Sequence, residues 1–293
     1  MSSRASMKNA THVSLIVLTG LLGVASTGVA QQTASSKSKV VLASEVQWTP
    51  LNPARGDKSP QAATLWGDRK GTAATGFLVK FVDGFSSPPH IHNVTYRGVV
   101  IGGGVHNDDP DAKPMWMPPG AFWTQPAGEP HVTAARGTSI AYIEIDKGPY
   151  LVRPTEDAFD SGERPVNVAP SNLVWLDASN TSWIDNPVGI ASTKNPEIAF
   201  LWGSPKESKL NGTLVKLPGG FVGTIRSSDS GFRAVVIQGQ PKYHVQGQPQ
   251  GKVMAPGSYF SSEGVKSHQV SCDEKESCTI YVRSEGEFRV IPD

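Results

Sequence analysis

The chain carries one sequence pattern twice, and this internal repeat restricts the possible folds more than any other feature. Segment 65–103 aligns on segment 201–239 at a constant offset of 136 residues, and segment 117–131 aligns on segment 254–268 at an offset of 137. Leu-Trp-Gly, Leu-Val-Lys, Gly-Phe and Val-Val-Ile all recur. A period this long indicates duplicated domains, because the repeats of solenoid proteins span only about 20–50 residues.

Each copy is predicted to be all β. Short runs of β-branched and aromatic residues, such as TGFLVKFV, GVVIGG, AFWTQ and SIAYIEI, alternate with clusters of Gly, Pro and Asp, which is typical of strands joined by turns. No window is long enough for a solid amphipathic helix. Segment 153–172 is rich in Pro and acidic residues and is predicted to be a linker. We therefore expect two tandem β-barrel domains, residues 40–158 and residues 159–293.

The N-terminal segment has the composition of a secretory signal peptide. Basic residues precede an apolar run at 13–25, and small residues lead up to Ala30, which is the order of regions in a cleavable export signal. The apolar run is too short for a membrane span, which needs about 20 residues. We predict a signal peptide at 1–30, a disordered lead-in at 31–39, and a periplasmic or secreted protein with no membrane attachment after cleavage.

The two cysteines, Cys272 and Cys278, flank the polar segment DEKES between two strand-like runs. An exported chain folds in an oxidising compartment, where we expect such a pair to form a disulfide rather than to remain as two free thiols. Their spacing differs from the C-x-x-C of redox motifs, so we assign the bridge a structural role.

Charge and motif content exclude several function classes. The chain has 27 basic and 26 acidic side chains and a formal net charge of +1, so nothing favours a nucleic-acid partner. There is no Ser-His-Asp arrangement and no phosphate-binding loop. The glycine run at 102–104 lacks the G-x-G-x-x-G spacing of dinucleotide sites, and no helix is predicted after it.

Histidines are the candidate metal ligands in the first copy. His90 and His92 are two residues apart, so on a strand their side chains project from the same face and can chelate one divalent metal. A third imidazole must come from elsewhere in the fold, and His131 is the obvious candidate. In the second copy the aligned residues of His90 and His92 are Arg226 and Ser228, so we expect the second domain to be metal-free.

The residues around the first pair resemble the first motif of the cupin superfamily, G-x5-H-x-H-x3-E-x6-G. Gly84, His90, His92 and Gly103 stand in register with it, and Tyr96 stands where the motif has Glu. In the second copy this position is a phenylalanine. The missing carboxylate leaves an all-imidazole ligand set with open positions for water or substrate.

The second cupin motif, G-x5-P-x-G-x2-H-x3-N, is also present. Gly120, Pro126, Gly128 and His131 match it in register, and Ala135 replaces the final Asn. With the repeat, the resemblance implies a bicupin of two jelly-roll barrels over residues 40–293. It further implies one divalent transition metal in the first barrel, whether iron, manganese, nickel, copper or zinc, and it allows pairing into a homodimer.

The resemblance implies that His90, His92 and His131 hold this metal. Tyr96 has three open roles: a phenolate ligand, a hydrogen-bond or proton donor at the metal, or a residue that faces elsewhere. His106 is either structural or an extra ligand or proton shuttle at the barrel mouth.

His244 is the counterpart of His106 if two residues were inserted. Trp116 and Trp123 pack in the core or line a substrate pocket. If they line a pocket, the ligand is at least partly apolar or aromatic.

Three functions agree with these patterns. The first is an exported enzyme that converts a small organic molecule with its metal, by dioxygenase- or isomerase-type chemistry. The second is a non-catalytic cupin that binds or senses a small molecule or a metal, since the fold does not decide the function. The third is a structural or storage bicupin without a metal.

Overall fold

Antiparallel β-sheets form both halves of the chain. The computed structural model describes residues 38–185, 195–204, 206, 209–227, 231–245 and 250–293. The predicted signal peptide, most of the predicted lead-in and Ser228 lie outside these residues. Within them, no helix has the length and apolar character needed to cross a membrane.

The first half, with the segment that connects it to the second, contains ten strands and three short 3-10 helices. The strands are β1 (Ser38–Val41), β2 (Thr49–Pro50), β3 (Gln61–Trp66), β4 (Thr75–Phe81), β5 (Ile91–His92), β6 (Tyr96–Asp108), β7 (Phe122–Gln125), β8 (Val132–Ile145), β9 (Val152–Arg153) and β10 (Val166–Val168). The 3-10 helices are Pro53–Lys58, Thr155–Asp157 and Pro170–Asn172.

The second half adds ten strands among the described residues. They are β11 (Glu197–Gly203), β12 (Leu210–Leu217), β13 (Val222–Ser227), β14 (Phe232–Gln238), β15 (Lys242–His244), β16 (Lys252–Val253), β17 (Tyr259–Ser262), β18 (Lys266–Ser271), β19 (Cys278–Glu285) and β20 (Phe288–Pro292). The prediction of an all-β, duplicated jelly-roll architecture is confirmed.

The two largest sheets have the same strand order. The first half forms β10-β7-β6-β8-β4-β3-β2, and the second forms β1-β17-β14-β19-β12-β11. Aligned strands occupy equivalent places, so the duplication seen in the sequence is also a duplication of topology. The second barrel is completed by the sheet β16-β15-β18-β13-β20, and the strands β5 and β9 pair beside the first.

The halves exchange their first strands. Val41 of β1 pairs with Tyr259 of the second half, and Val168 of β10 pairs with Phe122 of the first half. The sequence ahead of each copy also repeats, at an offset of 127, where VVLASEVQW corresponds to NVAPSNLVW. The segment predicted to be a linker therefore contains a strand that completes the first sheet. The domain boundary at 158/159 stays a prediction.

A β-bulge shapes the longest strand. In the ladder between β6 and β8, Val100 pairs with Ala141 and Gly102 pairs with the next residue back, Ile140, so Ile101 is an extra residue. The same shift occurs in the second half, between Val236 and Gln238. Side chains alternate between the two faces of a sheet along a strand. One extra residue therefore moves every later side chain of the strand to the opposite face.

Among the described residues, three hydrophobic cores stabilise this arrangement: one inside each barrel and one between the two sheets. The core between the sheets contains Leu65, Trp66, Val99, Phe122 and Tyr142 of the first half with their counterparts Leu201, Trp202, Val235, Tyr259 and Tyr281 of the second. The two halves are therefore joined by a continuous apolar layer.

A buried charge lies within this layer. The Glu144 carboxylate, 1% exposed, accepts hydrogen bonds from the Tyr142 hydroxyl at 3.0 Å, the Tyr281 hydroxyl at 2.8 Å and Arg283 Nη1 at 3.1 Å. Arg283 also donates to Asp146 at 2.8 Å. The alignment of the repeats places Arg283 at the position of Glu144, so one duplicated position supplies opposite charges to the interface.

The disulfide predicted from the sequence is present. Cys272 follows β18 and Cys278 begins β19, and a bond joins their sulfur atoms. It closes a hairpin end of the second barrel, away from the histidines of the first half, which agrees with a structural role.

Replacement of Arg283 by Met is expected to lower the free energy of unfolding by about 3–5 kcal/mol, because it leaves a buried carboxylate without its cation. Glu263→Gln is the control, since it breaks a pair with Arg233 in which the Glu263 side chain is 55% exposed, and it is expected to cost at most about 1 kcal/mol. Urea unfolding followed by circular dichroism measures both. Equal costs would contradict the buried ion pair as a main contact between the halves.

Candidate metal centre

The three histidines predicted as ligands meet at one end of the first barrel. His92 is in β5, His90 precedes it, and His131 immediately precedes β8. The backbones of His90 and His131 exchange two hydrogen bonds, of 3.1 and 3.0 Å. One ring nitrogen of each histidine lies within 4.8 Å of those of the other two. In the described part of the chain, this is the one group of three or more His, Cys, Asp or Glu side chains close enough to hold a metal ion.

Hydrogen bonds orient all three rings in the same way. Each Nδ1 lies against a backbone carbonyl oxygen: His90 against Pro88 at 2.9 Å, His92 against Leu151 at 3.0 Å and His131 against Glu129 at 3.1 Å. A carbonyl only accepts, so each Nδ1 carries the proton and each Nε2 keeps its lone pair. Metal-binding histidines show this arrangement, in which the second nitrogen donates to a carbonyl and fixes the tautomer.

Burial keeps the imidazoles neutral. It lowers the pKa of His131 to about 3 and that of His92 well below its ordinary value, and the neighbouring histidines add to both effects. The pKa of His90 is also lowered, by burial and by the charge of Arg55. Neutral imidazoles with a lone pair on Nε2 are what a divalent transition metal requires, so the donor set fits such an ion.

Tyr96, the residue in place of the motif's Glu, lies against this cluster. Its hydroxyl donates to Asn107 Oδ1 at 2.8 Å and lies 3.3 Å from His131 Nε2. Burial raises the pKa of Tyr96, although Trp123, Thr133 and Asn107 partly oppose the rise. Tyr96 is therefore a neutral phenol that faces the site, and its one proton points to Asn107.

Asn107 and Gln125 extend this contact into a chain that returns to the histidines. Asn107 Nδ2 donates to Gln125 Oε1 at 2.9 Å, and Gln125 Nε2 donates to the Glu129 carbonyl at 3.2 Å. That carbonyl also accepts from His131. Neither Asn107 nor Gln125 was predicted from the sequence. The available signal was that a buried phenol in place of Glu requires a polar partner.

Tyr150 is a second missed residue. Its ring stacks on His92 with centroids 4.2 Å apart, and its hydroxyl lies 3.1 Å from His92 Nε2. Burial raises its pKa, with a further contribution from Tyr96. Tyr150 follows the turn after β8, outside both cupin motifs, and no pattern in the sequence marked it.

His90 and His92 open into a cavity of about 400 Å³. Its walls are mainly apolar and aromatic: Leu51, Pro60, Val79, Phe81, Phe85, Pro88, Trp123, Ile143, Tyr150 and Val152. Polar groups come from His90, His92, Tyr96, Asn52, Arg55, Ser87, Asn107 and Thr133. An apolar cleft with few convergent polar groups is typical of a small-molecule site.

Comparisons with known proteins agree with this fold and identify the family. The model of the family described as Domain of unknown function (DUF4437) matches residues 39–291. The chain belongs to the DUF4437 family. No curated protein matches the sequence.

Solved structures resemble this DUF4437 protein over most of its length. A proposed dioxygenase from Nostoc punctiforme has a TM-score of 0.64 at 11% identity, covering 88% of this chain and 86% of that one. Vicilin from hazelnut, Corylus avellana, has a TM-score of 0.51 at 9% identity, covering 86% and 87%. A variant of Bacillus subtilis oxalate decarboxylase has a TM-score of 0.50 at 11% identity, covering 85% and 77%. These likenesses show the fold alone: the DUF4437 protein has the fold of a bicupin.

The structure brings Trp123 to the cavity of this cupin but not Trp116 or His106. Asn107 faces the cavity, so His106, the preceding residue of β6, faces away from it. His106 is 6% exposed, and its ring centroid lies 6.0 Å from that of Trp116. Arg136 in turn covers Trp116 at 4.3 Å. The position of His106 gives no support to a role as ligand or proton shuttle.

Ladder register gives the counterparts of the site in the second barrel. Asn107 pairs with Thr133, and Tyr243 pairs with Val270, the equivalent of Thr133. Tyr243 therefore corresponds to Asn107. It follows that Lys242, not His244, is the counterpart of His106.

Aromatic side chains fill the second barrel of this DUF4437 protein where the first has its polar site. His268 forms two hydrogen bonds of 3.0 Å, one between Nδ1 and the Tyr243 hydroxyl and one between Nε2 and Ser262 Oγ. Phe232, at the position of Tyr96, stacks on His268 at 4.9 Å. Arg226, aligned with His90, is exposed. Both nitrogens of the retained histidine are thus already engaged.

Gly98→Ala is expected to lower the free energy of unfolding by about 1–3 kcal/mol or more, because overpacking a buried site forces its neighbours to move. Gly98 pairs with Trp123 across the ladder, and a Cβ atom there would lie 2.2 Å from the indole ring. Gly102→Ala on the same strand is the matched control, since its added Cβ would meet nothing within 4 Å. Urea unfolding compares the two, and equal stability of the variants would contradict the placement of Trp123.

Proposed function

We propose that this protein is an exported bicupin that uses one divalent transition metal in its first barrel to convert a small organic molecule. The observation that carries this proposal is the convergence of three neutral, carbonyl-oriented imidazoles at the end of an apolar cavity. A dioxygenase- or isomerase-type reaction fits best, because both act on small molecules that a metal binds through oxygen atoms.

His90, His92 and His131 would hold the metal through their Nε2 atoms. When bound, the ion supplies a Lewis acid and open positions for oxygen atoms of the substrate. The carbonyls of Pro88, Leu151 and Glu129 keep the three rings in place without any rearrangement, so the site is preorganised.

Tyr96 and Tyr150 place their hydroxyl groups beside the proposed metal position. Their hydroxyls lie within 3.3 Å of His131 Nε2 and 3.1 Å of His92 Nε2, close to where a substrate oxygen would be held. Burial raises the pKa of both, so both remain protonated. The Tyr150 hydroxyl would donate a hydrogen bond to that oxygen, whereas Tyr96 donates its proton to Asn107 and presents its oxygen as an acceptor. The apolar walls exclude water and orient the carbon skeleton.

One observation favours a second function, non-catalytic binding or sensing. No Asp or Glu lines the cavity among the described residues, so the site lacks a carboxylate general base. Oxygen uptake with a panel of phenols and diketones separates the two functions. Consumption by the metal-loaded protein, absent from its ligand variants, supports the dioxygenase reaction, and tight binding without turnover supports the binding module.

Elemental analysis of the purified protein is expected to show about one metal per chain, because one three-histidine site is present. The double variant His90→Ala/His131→Ala is expected to lose it, since one imidazole alone holds a divalent ion weakly. His244→Ala, in the second half, is the control and should keep the full content. Near-zero metal after reconstitution of the folded protein would contradict the proposal and leave the structural bicupin.

Export is a further part of the proposal. The disulfide between Cys272 and Cys278 supports it, because such bonds persist in oxidising compartments. N-terminal sequencing of the protein from its native host is expected to find a mature chain that begins after Ala30 and resides outside the cytoplasm. Retention of residues 1–30 in a cytoplasmic fraction would contradict it. Pairing into a homodimer also remains a proposal, and sedimentation velocity tests it.

A further inference from the structure

We propose that the cavity of the first barrel selects an organic anion, such as a carboxylate, with an apolar body, and that Arg55 binds its charged group. This inference deepens the proposed function and rests on it for the claim that the cavity is a reaction site. Three observations on the described residues support it: Arg55 has no ion-pair partner, the cavity walls are mainly apolar, and the indole N–H of Trp123 has no hydrogen-bond acceptor.

Arg55 is a charged residue of the cavity wall, and its guanidinium has no carboxylate partner among the described residues. It lines the same cavity as His90. Its guanidinium lies over the Phe85 ring at 5.5 Å, and among the described residues it forms neither an ion pair nor a side-chain hydrogen bond. Most guanidinium groups in the interface between the halves, such as Arg97 and Arg283, have carboxylate partners. The five donors of a free guanidinium match a carboxylate in two parallel hydrogen bonds.

The backbone presents Arg55 in a defined position. It lies in the 3-10 helix Pro53–Lys58, where Asn52 Oδ1 accepts from the Ala54 N–H at 3.1 Å and the Asn52 carbonyl accepts from the Arg55 N–H at 3.0 Å. The Asn52 N–H donates to Ser59 Oγ at 3.0 Å. A capped turn therefore fixes the backbone of Arg55 beside the cavity.

The walls set the remaining chemistry of the ligand. The charges of the described lining are Arg55 and the metal that the histidines would hold, and both are positive. No carboxylate of the described lining offsets them. Val79, Phe81, Phe85 and Ile143 form apolar surface beside the charge. A neutral polar molecule would leave the Arg55 guanidinium without an ion-pair partner, and a purely apolar molecule would bury that charge. An anion with an apolar body would pair with the guanidinium and pack against the apolar walls.

Trp123 supplies a second donor. Its side chain lines the cavity, and its buried Nε1–H has no aligned hydrogen-bond partner in the described structure. Buried indole N–H groups usually have a partner. The Tyr96 oxygen is beside it but is not in hydrogen-bond geometry with the indole N–H. An oxygen atom of the bound ligand would satisfy the Trp123 donor.

Isothermal titration calorimetry with phenylacetate and its uncharged isostere phenylacetamide tests the proposal, with benzoate/benzamide and hexanoate/hexanamide as further pairs. The zinc-loaded full chain is expected to bind at least one carboxylate about ten- to a hundredfold more tightly than its amide, since hydrogen bonds to a charged group are stronger than those to a neutral one. Arg55→Gln is expected to remove most of this preference, and Arg55→Lys to restore part of it.

Arg136→Gln is the matched control, because Arg136 also covers an aromatic ring, that of Trp116, but does not line the cavity. It should keep the full preference. If no carboxylate of the panel binds better than its amide, or if Arg55→Gln keeps the preference, the inference is overturned.

Metal content, measured on the same samples, separates this outcome from the proposed function. One metal per chain without a carboxylate preference removes the inference alone. A carboxylate preference that depends on Arg55 in chains that take up no metal retains the binding site and removes the metal-dependent reaction.

Discussion

The site depends on one extra residue in strand β6. Tyr96 and Asn107 lie 11 positions apart on this strand, an odd number that would place them on opposite faces of a regular ladder. Because the bulge at Ile101 changes the parity, both side chains face the interior, where they form a hydrogen bond. His131, Trp123 and Gln125 then reach the same place from β7 and the start of β8, the two strands that pair with β6. Without the bulge, the polar half of the site would point into the layer between the barrels.

The layer between the barrels explains how the bulged register of β6 is maintained. Each half gives its first strand to the other sheet, and the two sheets bury a common core with Glu144 and Arg283 inside it. The outer face of β6 belongs to this core through Val99 and Ile101. The strand is thus packed on both faces, so a shift of its register would disrupt the barrel core and the interface together.

Sequence alone was sufficient for the all-β duplicated fold and for the three histidines, because both rest on local spacing. The repeat keeps one offset over 39 residues, and the cupin motifs fix the distances between ligands along the chain. The strand exchange was missed because the segments before the two copies match at an offset of 127 rather than 136. Tyr150 and Asn107 were missed because their roles arise from contacts across the fold, 58 and 24 residues from the histidines they serve. Gly98 was unmarked for the same reason: only the facing Trp123 ring requires it.

Comparison with the second barrel separates the features that the fold requires from those that it does not require. It keeps the bulge and the strand order, yet it has Phe232 for Tyr96 and Tyr243 for Asn107. These aromatic rings close over His268 and occupy the space that is open in the first barrel. A packed apolar interior is the more stable solution for a barrel, and a cavity lined by neutral imidazoles and an unpaired guanidinium lacks that packing. Since the same chain builds the barrel both ways, stability does not account for the first version, whereas the proposed binding of a metal and a ligand would.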